Sequence, residues 1–288
     1  MTAGTDPPRG PVLFLNPKSG GGKAAHAGVA EQARRRGIEV VVVRPGETLA
    51  TLVEKAVERG AEALGVAGGD GSLAVVAAAA VAHELPFVCV PAGTRNHFAL
   101  DLGLDRRDLV GSLDAFTEGV ERRIDVAEVN GRLFLNNVSL GIYGDAVRQP
   151  EYRDAKARTL LATAVEVLGP SADLPDLWLE DDLGRTHRNP AVVLVSNNPY
   201  SFEPPRAPGT RPALDTGQLG ILVLHAPPAG RSPERAWTAT RFSVNSSALL
   251  HTGVDGEAVD LMPPLQFAVR PRALRVRIPS RDVETRRP

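Results

Sequence analysis

The sequence is short of cysteine and has no long apolar run. Its one cysteine, Cys89, excludes a disulfide within the chain, and the apolar residues around it predict a buried, inert thiol. The longest apolar run, at 74–82, is far shorter than the roughly 20 residues that cross a bilayer. The first ten residues also lack the apolar core of a signal peptide. We therefore predict a cytoplasmic protein.

An excess of charge of one sign is also absent. The chain has 33 basic and 34 acidic residues, so the overall charge gives no reason to expect nucleic acid as a partner. Lysine is scarce as well, yet Lys18 and Lys23 flank a single glycine run. The 288 residues are 43% hydrophobic, which is enough for a sizeable core and suits two domains.

The pattern of apolar runs predicts an α/β fold. Residues 1–121 alternate short β-branched runs with helical segments, including one helix over 25–36, which indicates a Rossmann-like domain with a mostly parallel sheet. Residues 122–288 read as strands joined by turns, with single strands expected over 132–140 and 186–198. We predict a β-rich second domain there. A return of the last residues to the first domain stays open.

Two further segments of the second half have features of their own. A helix is expected over 152–168, and the proline-rich loop at 198–213 is too long for a simple connector, which indicates a functional or mobile segment. The basic residues near that helix suit either a solvated face or anionic lipid head groups. They are Arg148, Arg153, Lys156 and Arg158.

The most informative motif is GGDGS, which follows a buried strand and opens a helix. Gly68, Gly69 and Gly71 let phosphates approach the backbone, and the amide groups at a helix start favour anions. Asp70 would repel a bare phosphate, so we expect its partner to be Mg²⁺ on a phosphate, or a hydroxyl group. The alternative is that Asp70 only caps its own helix, with Ser72 in the first turn.

A second glycine-rich loop, NPKSGGGKA, precedes this motif in the chain. It is not a Walker A loop, because Pro17 stands where the first glycine would be and Ala24 follows Lys23. It still joins a strand to a helix and offers serine, lysine and backbone amides to phosphates. The alternative is a flexible, solvated loop.

A third loop, PAGTRNHF, follows the next strand. Thr94 and Asn96 can hydrogen-bond a ligand without adding charge, although an ordinary turn would explain them equally. Because loops at the ends of successive parallel strands converge, the three together predict a nucleotide site. A Rossmann dinucleotide fingerprint is missing from the first turn, which disfavours a dehydrogenase.

The fourth motif is the acidic turn in HTGVDGEAV. Asp255 and Glu257 flank Gly256, and two acids with different pKa values are a usual means of deprotonating a hydroxyl group. The alternative is a plain type I′ hairpin, since Asp-Gly is a common pair in such turns.

These four motifs, in this order, resemble the diacylglycerol kinase catalytic-domain family, which includes bacterial lipid kinases and sphingosine kinases. The resemblance implies ATP bound in a cleft between an α/β domain and a β-sandwich-like domain, with Mg²⁺ as cofactor and a lipid alcohol as acceptor. It implies catalytic roles for Glu257, Asp255 and Asp70. It also implies a set of nucleotide-binding residues, which are Asn16, Pro17, Lys18, Ser19, Gly20, Gly68, Gly69, Asp70, Gly71, Ser72, Thr94 and Asn96.

Two positions depart from the family pattern. Where the family usually has Asn-Asp-Phe, this chain has His97 before Phe98, and we expect a neutral histidine packed beside that phenylalanine. The metal-binding turn of the family appears here as Asp215-Thr216-Gly217, so Asp215 is the metal-ligand candidate. A kinase for a soluble substrate such as NAD, and a catalytically silent nucleotide- or lipid-binding module, stay open as alternatives. Contact with the inner face of the membrane and a homodimer are further open expectations.

Overall fold

The computed structural model describes residues 10–141, 176–201, 210–225 and 234–284. The chain is a mixed α/β protein, as predicted. Its described strands are β1 (Pro11–Leu15), β2 (Glu39–Val42), β3 (Ala63–Gly68), β4 (Phe87–Pro91), β5 (Gly119–Val129), β6 (Arg132–Phe134), β7 (Asn137–Gly141), β8 (Leu177–Glu180), β9 (Thr186–Arg188), β10 (Val192–Asn197), β11 (Leu219–Leu224), β12 (Glu234–Ala239), β13 (Arg241–Ser246), β14 (Leu250–Val254), β15 (Glu257–Leu261) and β16 (Leu265–Pro279). Its described helices are α1 (Lys23–His26), α2 (Val29–Arg35), α3 (Leu49–Glu58), α4 (Asp70–Ala82), α5 (His97–Leu102) and α6 (Ser280–Glu284).

The chain divides into two compact units. Unit 1 comprises Met1–Ile124 and Arg272–Pro288, and unit 2 comprises Asp125–Pro271. The chain therefore passes from one unit to the other inside β5 and again inside β16.

Unit 1 is built on a parallel sheet with the strand order β2-β1-β3-β4-β16. β1, β3 and β4 are almost wholly buried, and this is the burial expected of central parallel strands. Apolar side chains of β1, β3 and β4 share a core with α1, α2 and the 3₁₀ turn at Gly111–Phe116. This packing fixes the carboxyl ends of three adjacent strands at one edge of the sheet.

The helix predicted over 25–36 is divided into α1 and α2. The break lies at Gly28, whose φ of +65° belongs to the left-handed region and ends the first helix. α3, in contrast, begins at a side-chain cap, because the hydroxyl of Thr48 accepts a hydrogen bond from the backbone N–H of Thr51 at 3.3 Å.

Unit 2 contains two sheets that share a hydrophobic core. One is antiparallel with the order β12-β11-β10-β7-β14-β15, and the other joins β16, β13, β8 and β9. Buried side chains from both sheets form a single cluster that includes Phe134, Trp237 and Phe267. Burial of these large apolar groups is the main source of stability for such a β-rich unit.

Several predicted strands have different bounds. The strand expected over 132–140 is divided into β6 and β7, and the strand expected over 186–198 is divided into β9 and β10. β16 runs unbroken through the apolar stretches at 265–269 and 273–278, while β12, β13 and β15 were not predicted. The helix expected over 152–168, with Arg148, Arg153, Lys156 and Arg158, lies outside the described residues, as do residues 202–209 of the proline-rich loop. In the part of the chain that is described, no helix has the length and apolar character needed to span a membrane.

Candidate functional site

The three glycine-rich loops of unit 1 touch one another, as the sequence predicts. A Cβ atom at Gly20 would lie 2.3 Å from the carbonyl oxygen of Ala92, and one at Gly93 would lie 2.4 Å from Cα of Gly69. Real Cβ atoms do not approach backbone atoms so closely, so only glycine allows these contacts. The ends of β1, β3 and β4 therefore form one site, in which Gly20 and Gly69 are half-buried and Gly93 is buried.

The first loop is held by its own asparagine. The side-chain Oδ1 of Asn16 accepts a hydrogen bond from the backbone N–H of Lys18 at 3.1 Å, and its carbonyl accepts one from Ser19 at 3.1 Å. The backbone N–H of Asn16 donates to Ala67 of β3 at 3.2 Å, which attaches the loop to the sheet. Pro17 and Lys18 are exposed, so this loop offers a lysine and a fixed turn to solvent.

In the second loop, Asp70 faces another helix rather than capping its own. Gly69 is the N-cap of α4, and no side chain caps that helix. The carboxylate of Asp70 instead accepts hydrogen bonds from the backbone N–H groups of His97 and Phe98, both at 3.4 Å. The alternative that Asp70 caps its own helix is therefore wrong, because the carboxylate contacts the start of α5.

Close packing explains the other members of this motif. A Cβ atom at Gly68 would lie 2.8 Å from Cβ of Ser72, so β3 and α4 approach closely only because residue 68 is glycine. Gly71 and Ser72 are half-buried in the first turn of α4.

Beneath the loop, Cys89 is buried as predicted, and burial, helped by the negative charge of Asp70, raises the pKa of its thiol far above its usual value.

The third loop is closed by Asn96. This residue is buried with a φ of +53°, and its Oδ1 accepts from the N–H of Gly93 at 2.9 Å. Its Nδ2 donates to the carbonyls of Pro91 at 2.9 Å and Gly93 at 2.8 Å. The amide of Asn96 thus shapes the loop, whereas Thr94 is the exposed hydroxyl on it. Asn96 was predicted to contact the ligand directly. Its hydrogen bonds indicate instead that it holds the loop in the conformation that presents other groups to a ligand.

The neighbouring residue His97 is exposed, contrary to the expected packing. Phe98 is fully buried and packs against Phe87, with ring centroids 6.3 Å apart. The histidine that replaces the usual acid of the family pattern therefore lies on the surface beside Asp70.

The sequence indicates Lys23 as one of two lysines suited to phosphates, but sequence reasoning missed the arginines around this loop. Nζ of Lys23 donates to the carbonyl of Gly93 at 3.3 Å, and Nη1 of Arg106 donates to the carbonyl of Arg95 at 2.9 Å. Nη2 of Arg95 is buried and has no hydrogen-bond partner within residues 10–141, 176–201, 210–225 and 234–284. The one feature of the sequence that could have indicated this site was Arg95, an arginine among the small and polar residues of the PAGTRNHF loop.

In unit 2, the two carboxylates of the acidic turn lie in different environments, since Asp255 is buried and Glu257 is exposed. Asp255 and Gly256 have φ values of +49° and +82°, which is the type I′ hairpin between β14 and β15. Asp255 is buried, and its carboxylate accepts backbone N–H groups of Leu135 at 2.8 Å and Asn136 at 2.7 Å. Glu257 is exposed. Asp255 therefore holds the turn in place, while Glu257 is the acid that solvent and substrates can reach.

The turn at Asp215-Thr216-Gly217 is also anchored by buried groups. The N–H of Gly217 donates to Oδ2 of Asp125 at 2.7 Å, and Thr216 donates to Oδ1 of Asn198 through its N–H at 2.9 Å and its hydroxyl at 2.6 Å. Asp215 itself is exposed. Across the described ranges, no group of three or more histidine, cysteine or acidic residues is arranged to hold a metal ion. A Mg²⁺ ion that arrives with a nucleotide needs only one or two carboxylates, and single acids such as Asp70 and Asp215 fit that requirement.

Comparison with known proteins agrees with these motifs. The sequence profile of the diacylglycerol kinase catalytic domain matches residues 11–129, which contain all three glycine loops. The chain is 38% identical over 213 residues to a "Diacylglycerol kinase" of Bacillus subtilis, covering 70% of this chain and 68% of the relative. It is 28% identical over 305 residues to a "Probable lipid kinase YegS-like" protein of Pseudomonas aeruginosa, covering 96% and 97%.

The fold agrees as well. A crystal structure of a diacylglycerol kinase from Bacillus anthracis superposes with a TM-score of 0.67 at 16% identity, covering 95% of this chain and 97% of that one. Together with the ordered motifs, the Bacillus subtilis relative settles the family. The chain belongs to the diacylglycerol kinase catalytic-domain family.

Proposed function

We propose that this chain is a lipid kinase that transfers the γ-phosphoryl group of ATP to the hydroxyl of a lipid alcohol, diacylglycerol or a related lipid. The observation that carries the proposal is the contact among the three glycine loops of unit 1, which presents backbone and a single acid, Asp70, at one edge of the sheet. Membership of the family supports the same reaction.

The loops of unit 1 would bind the nucleotide. The half-buried glycines Gly20, Gly69 and Gly71 suit phosphate oxygens because they have no side chain to block the backbone. Lys18, Ser19 and Thr94 add side-chain donors. Asp70 is the candidate to hold Mg²⁺ directly or through water, and Asp215 is a second candidate. When bound with ATP, Mg²⁺ neutralises phosphate charge and orients the γ-phosphoryl group.

Glu257 would act as the base. Its exposed carboxylate takes the proton of the acceptor hydroxyl as the oxygen bonds to the γ-phosphorus, and the bond to the β-phosphate oxygen breaks to release ADP. Asp255 is the less suitable base, because its oxygens accept backbone N–H groups. Its part is to position the turn.

The substrate places the reaction at a membrane surface. A lipid acceptor requires peripheral contact with a bilayer, and the basic residues at 148–158 are the candidates for contact with anionic head groups. A homodimer remains a prediction.

The test is transfer of label from Mg²⁺-[γ-³²P]ATP to a panel of acceptors in mixed micelles. The panel contains diacylglycerol, sphingoid bases, other lipid alcohols and NAD. We expect label in one lipid, lost in Glu257→Gln and retained in Glu180→Gln, a matched change of an exposed acid in unit 2. Label in NADP would establish the soluble-substrate alternative, and ATP binding without transfer would establish the silent module.

A further inference from the structure

Three basic side chains gather around the backbone of residues 93–95, and we name Lys23, Arg95 and Arg106 the cation cluster. Lys23 reaches the carbonyl of Gly93 from α1, and Arg106 reaches the carbonyl of Arg95 from the segment after α5. Arg95 contributes its own guanidinium from the loop between them. Three cations from three segments are thus brought to one short loop.

The charge of this cluster is not balanced by an ion pair in the part of the chain that the structure describes. Within the described ranges, none of its three members forms an ion pair with an acid. The three glycine loops, taken as 16–23, 68–72 and 91–98, contain a single acid, Asp70, against Lys18, Lys23 and Arg95. The oxygens of Asp70 face the backbone N–H groups at the start of α5. The loops therefore carry a net positive charge that suits a polyanion.

Arg95 has the most specific need for a partner. Its Nη2 is shielded from solvent, and no acceptor among the described residues hydrogen-bonds to it. Leaving a buried donor of a charged group unpaired is costly, so such a group is rare in a native protein without a function. The planar fork of donors on a guanidinium matches phosphate oxygens better than any other side chain.

We propose that the cation cluster binds the polyphosphate of the nucleotide, with Arg95 as its direct ligand. This inference rests on the proposed function, because the nucleotide loops are the same loops. Lys23 and Arg106 hold the two carbonyls that flank residue 94 and keep positive charge close to the phosphates. The cluster thus supplies from the protein part of the charge neutralisation that phosphoryl transfer requires.

The test compares Arg95→Met with Arg107→Met, which removes an exposed arginine from the segment after α5. Calorimetric titration of the full chain with ATP, tripolyphosphate and adenosine separates the phosphates from the base and sugar. We expect Arg95→Met to weaken the binding of ATP and of tripolyphosphate by about tenfold to a hundredfold, because it removes hydrogen bonds between charged groups. The affinity for adenosine should stay unchanged. Arg107→Met should change each by less than about twofold.

Stability of the unliganded protein is the second measurement. Because Arg95→Met removes an unpaired donor, its melting temperature without ligand should equal or exceed that of the wild type. Equal ATP affinity in wild type and Arg95→Met would overturn the inference and leave the kinase proposal intact. A lower melting temperature with parallel loss of all three ligands would also overturn it, because Arg95 would then be structural. Loss of tripolyphosphate binding in a protein that phosphorylates nothing would support the cluster and reject the kinase.

Discussion

The carboxylate of Asp255 lies 2.7 Å from the backbone nitrogen of Asn136, a residue more than a hundred positions earlier in the chain. The same carboxylate accepts the N–H groups of Leu135 and Asn137. Backbone donors that would otherwise continue a strand ladder are thereby used by a side chain. This explains why the segment at 132–140 forms β6 and β7 instead of one strand, and it fixes the turn that carries Glu257.

This arrangement predicts opposite outcomes for the two acids of the turn. Asp255→Ala leaves three backbone N–H groups without their acceptor, so we expect the free energy of unfolding to fall by about 3 kcal/mol or more. Glu257→Gln alters an exposed side chain and should stay within about 0.5 kcal/mol of the wild type while abolishing phosphoryl transfer. Urea unfolding at pH 7 and the transfer assay measure the two effects.

The assignment of the base depends on that contrast. A stable Asp255→Asn variant without transfer, beside a Glu257→Gln variant with full transfer, would make Asp255 the base and would contradict the role we give to Glu257.

The Asp70 carboxylate gives a second prediction. Asp70→Asn keeps an oxygen that can accept the N–H groups of His97 and Phe98, so the melting temperature should hardly change. The loss of negative charge should lower transfer on the order of a hundredfold or more, if this acid orients the metal on the phosphates. Glu62→Gln, an exposed acid of unit 1, is the control. Full activity in Asp70→Asn would remove this residue from the mechanism.

Contact between the loops gives a third prediction. Gly93→Ala places a Cβ 2.4 Å from Cα of Gly69 and 2.7 Å from Oδ1 of Asn96, so the loops must separate. We expect a loss of stability of about 1–3 kcal/mol, as for overpacking, together with loss of ATP binding. Gly10→Ala is the control, because a Cβ at Gly10 meets nothing within 4 Å. Thermal melting and ATP titration report the two effects, and unchanged ATP affinity in Gly93→Ala would show that loop contact is unnecessary.

Local chemistry made part of this structure predictable from the sequence. The Asp255-Gly256 hairpin, the Thr48 cap and the loops at the ends of β1, β3 and β4 depend on residues close together in the chain. Such features follow from turn and cap preferences and from the alternation of strands and helices, so they could be identified without a structure.

Contacts between distant residues were not predictable in this way. The division of 132–140 depends on Asp255, and the unpaired nitrogen of Arg95 depends on burial by other segments. The amide of Asn96 has the donor and acceptor groups expected of a ligand contact. Only its hydrogen bonds to the carbonyls of Pro91 and Gly93 show that it closes the loop. The spacing of residues in the sequence predicts where a polar side chain lies, but it does not predict which distant residue forms a hydrogen bond with that side chain.

A chain of titratable side chains joins the two sheets of unit 2. Asp181 accepts from Nε2 of His187 at 3.1 Å, and Nδ1 of His187 lies 3.1 Å from Nε2 of His225. His187 belongs to β9 and His225 follows β11, so the pair connects the sheets. Burial of Asp181 alone would raise its pKa, but hydrogen bonds from Arg185 and His187 lower it overall. Arg235 also approaches Asp181, at 3.4 Å.

The hydrogen-bonded side chains of Asp181, His187 and His225 predict a loss of protein stability on mild acidification. Burial, followed by the nearby charge of His187, lowers the pKa of His225 below its usual value of about 6.5. The unfolded chain therefore binds more protons than the folded chain as pH falls through that range. Stability is fully present above about pH 6.5 and declines below it, by at most about 1.4 kcal/mol per pH unit for one group.

Urea unfolding between pH 5 and pH 8 measures this dependence. His225→Gln should flatten the decline, because the group that must bind a proton on unfolding is gone. His26→Gln, which alters an exposed histidine of unit 1, should follow the wild-type profile. If His225→Gln loses stability with acid as steeply as the wild type, the proton is taken up elsewhere and the histidine pair does not link the sheets in a pH-dependent way.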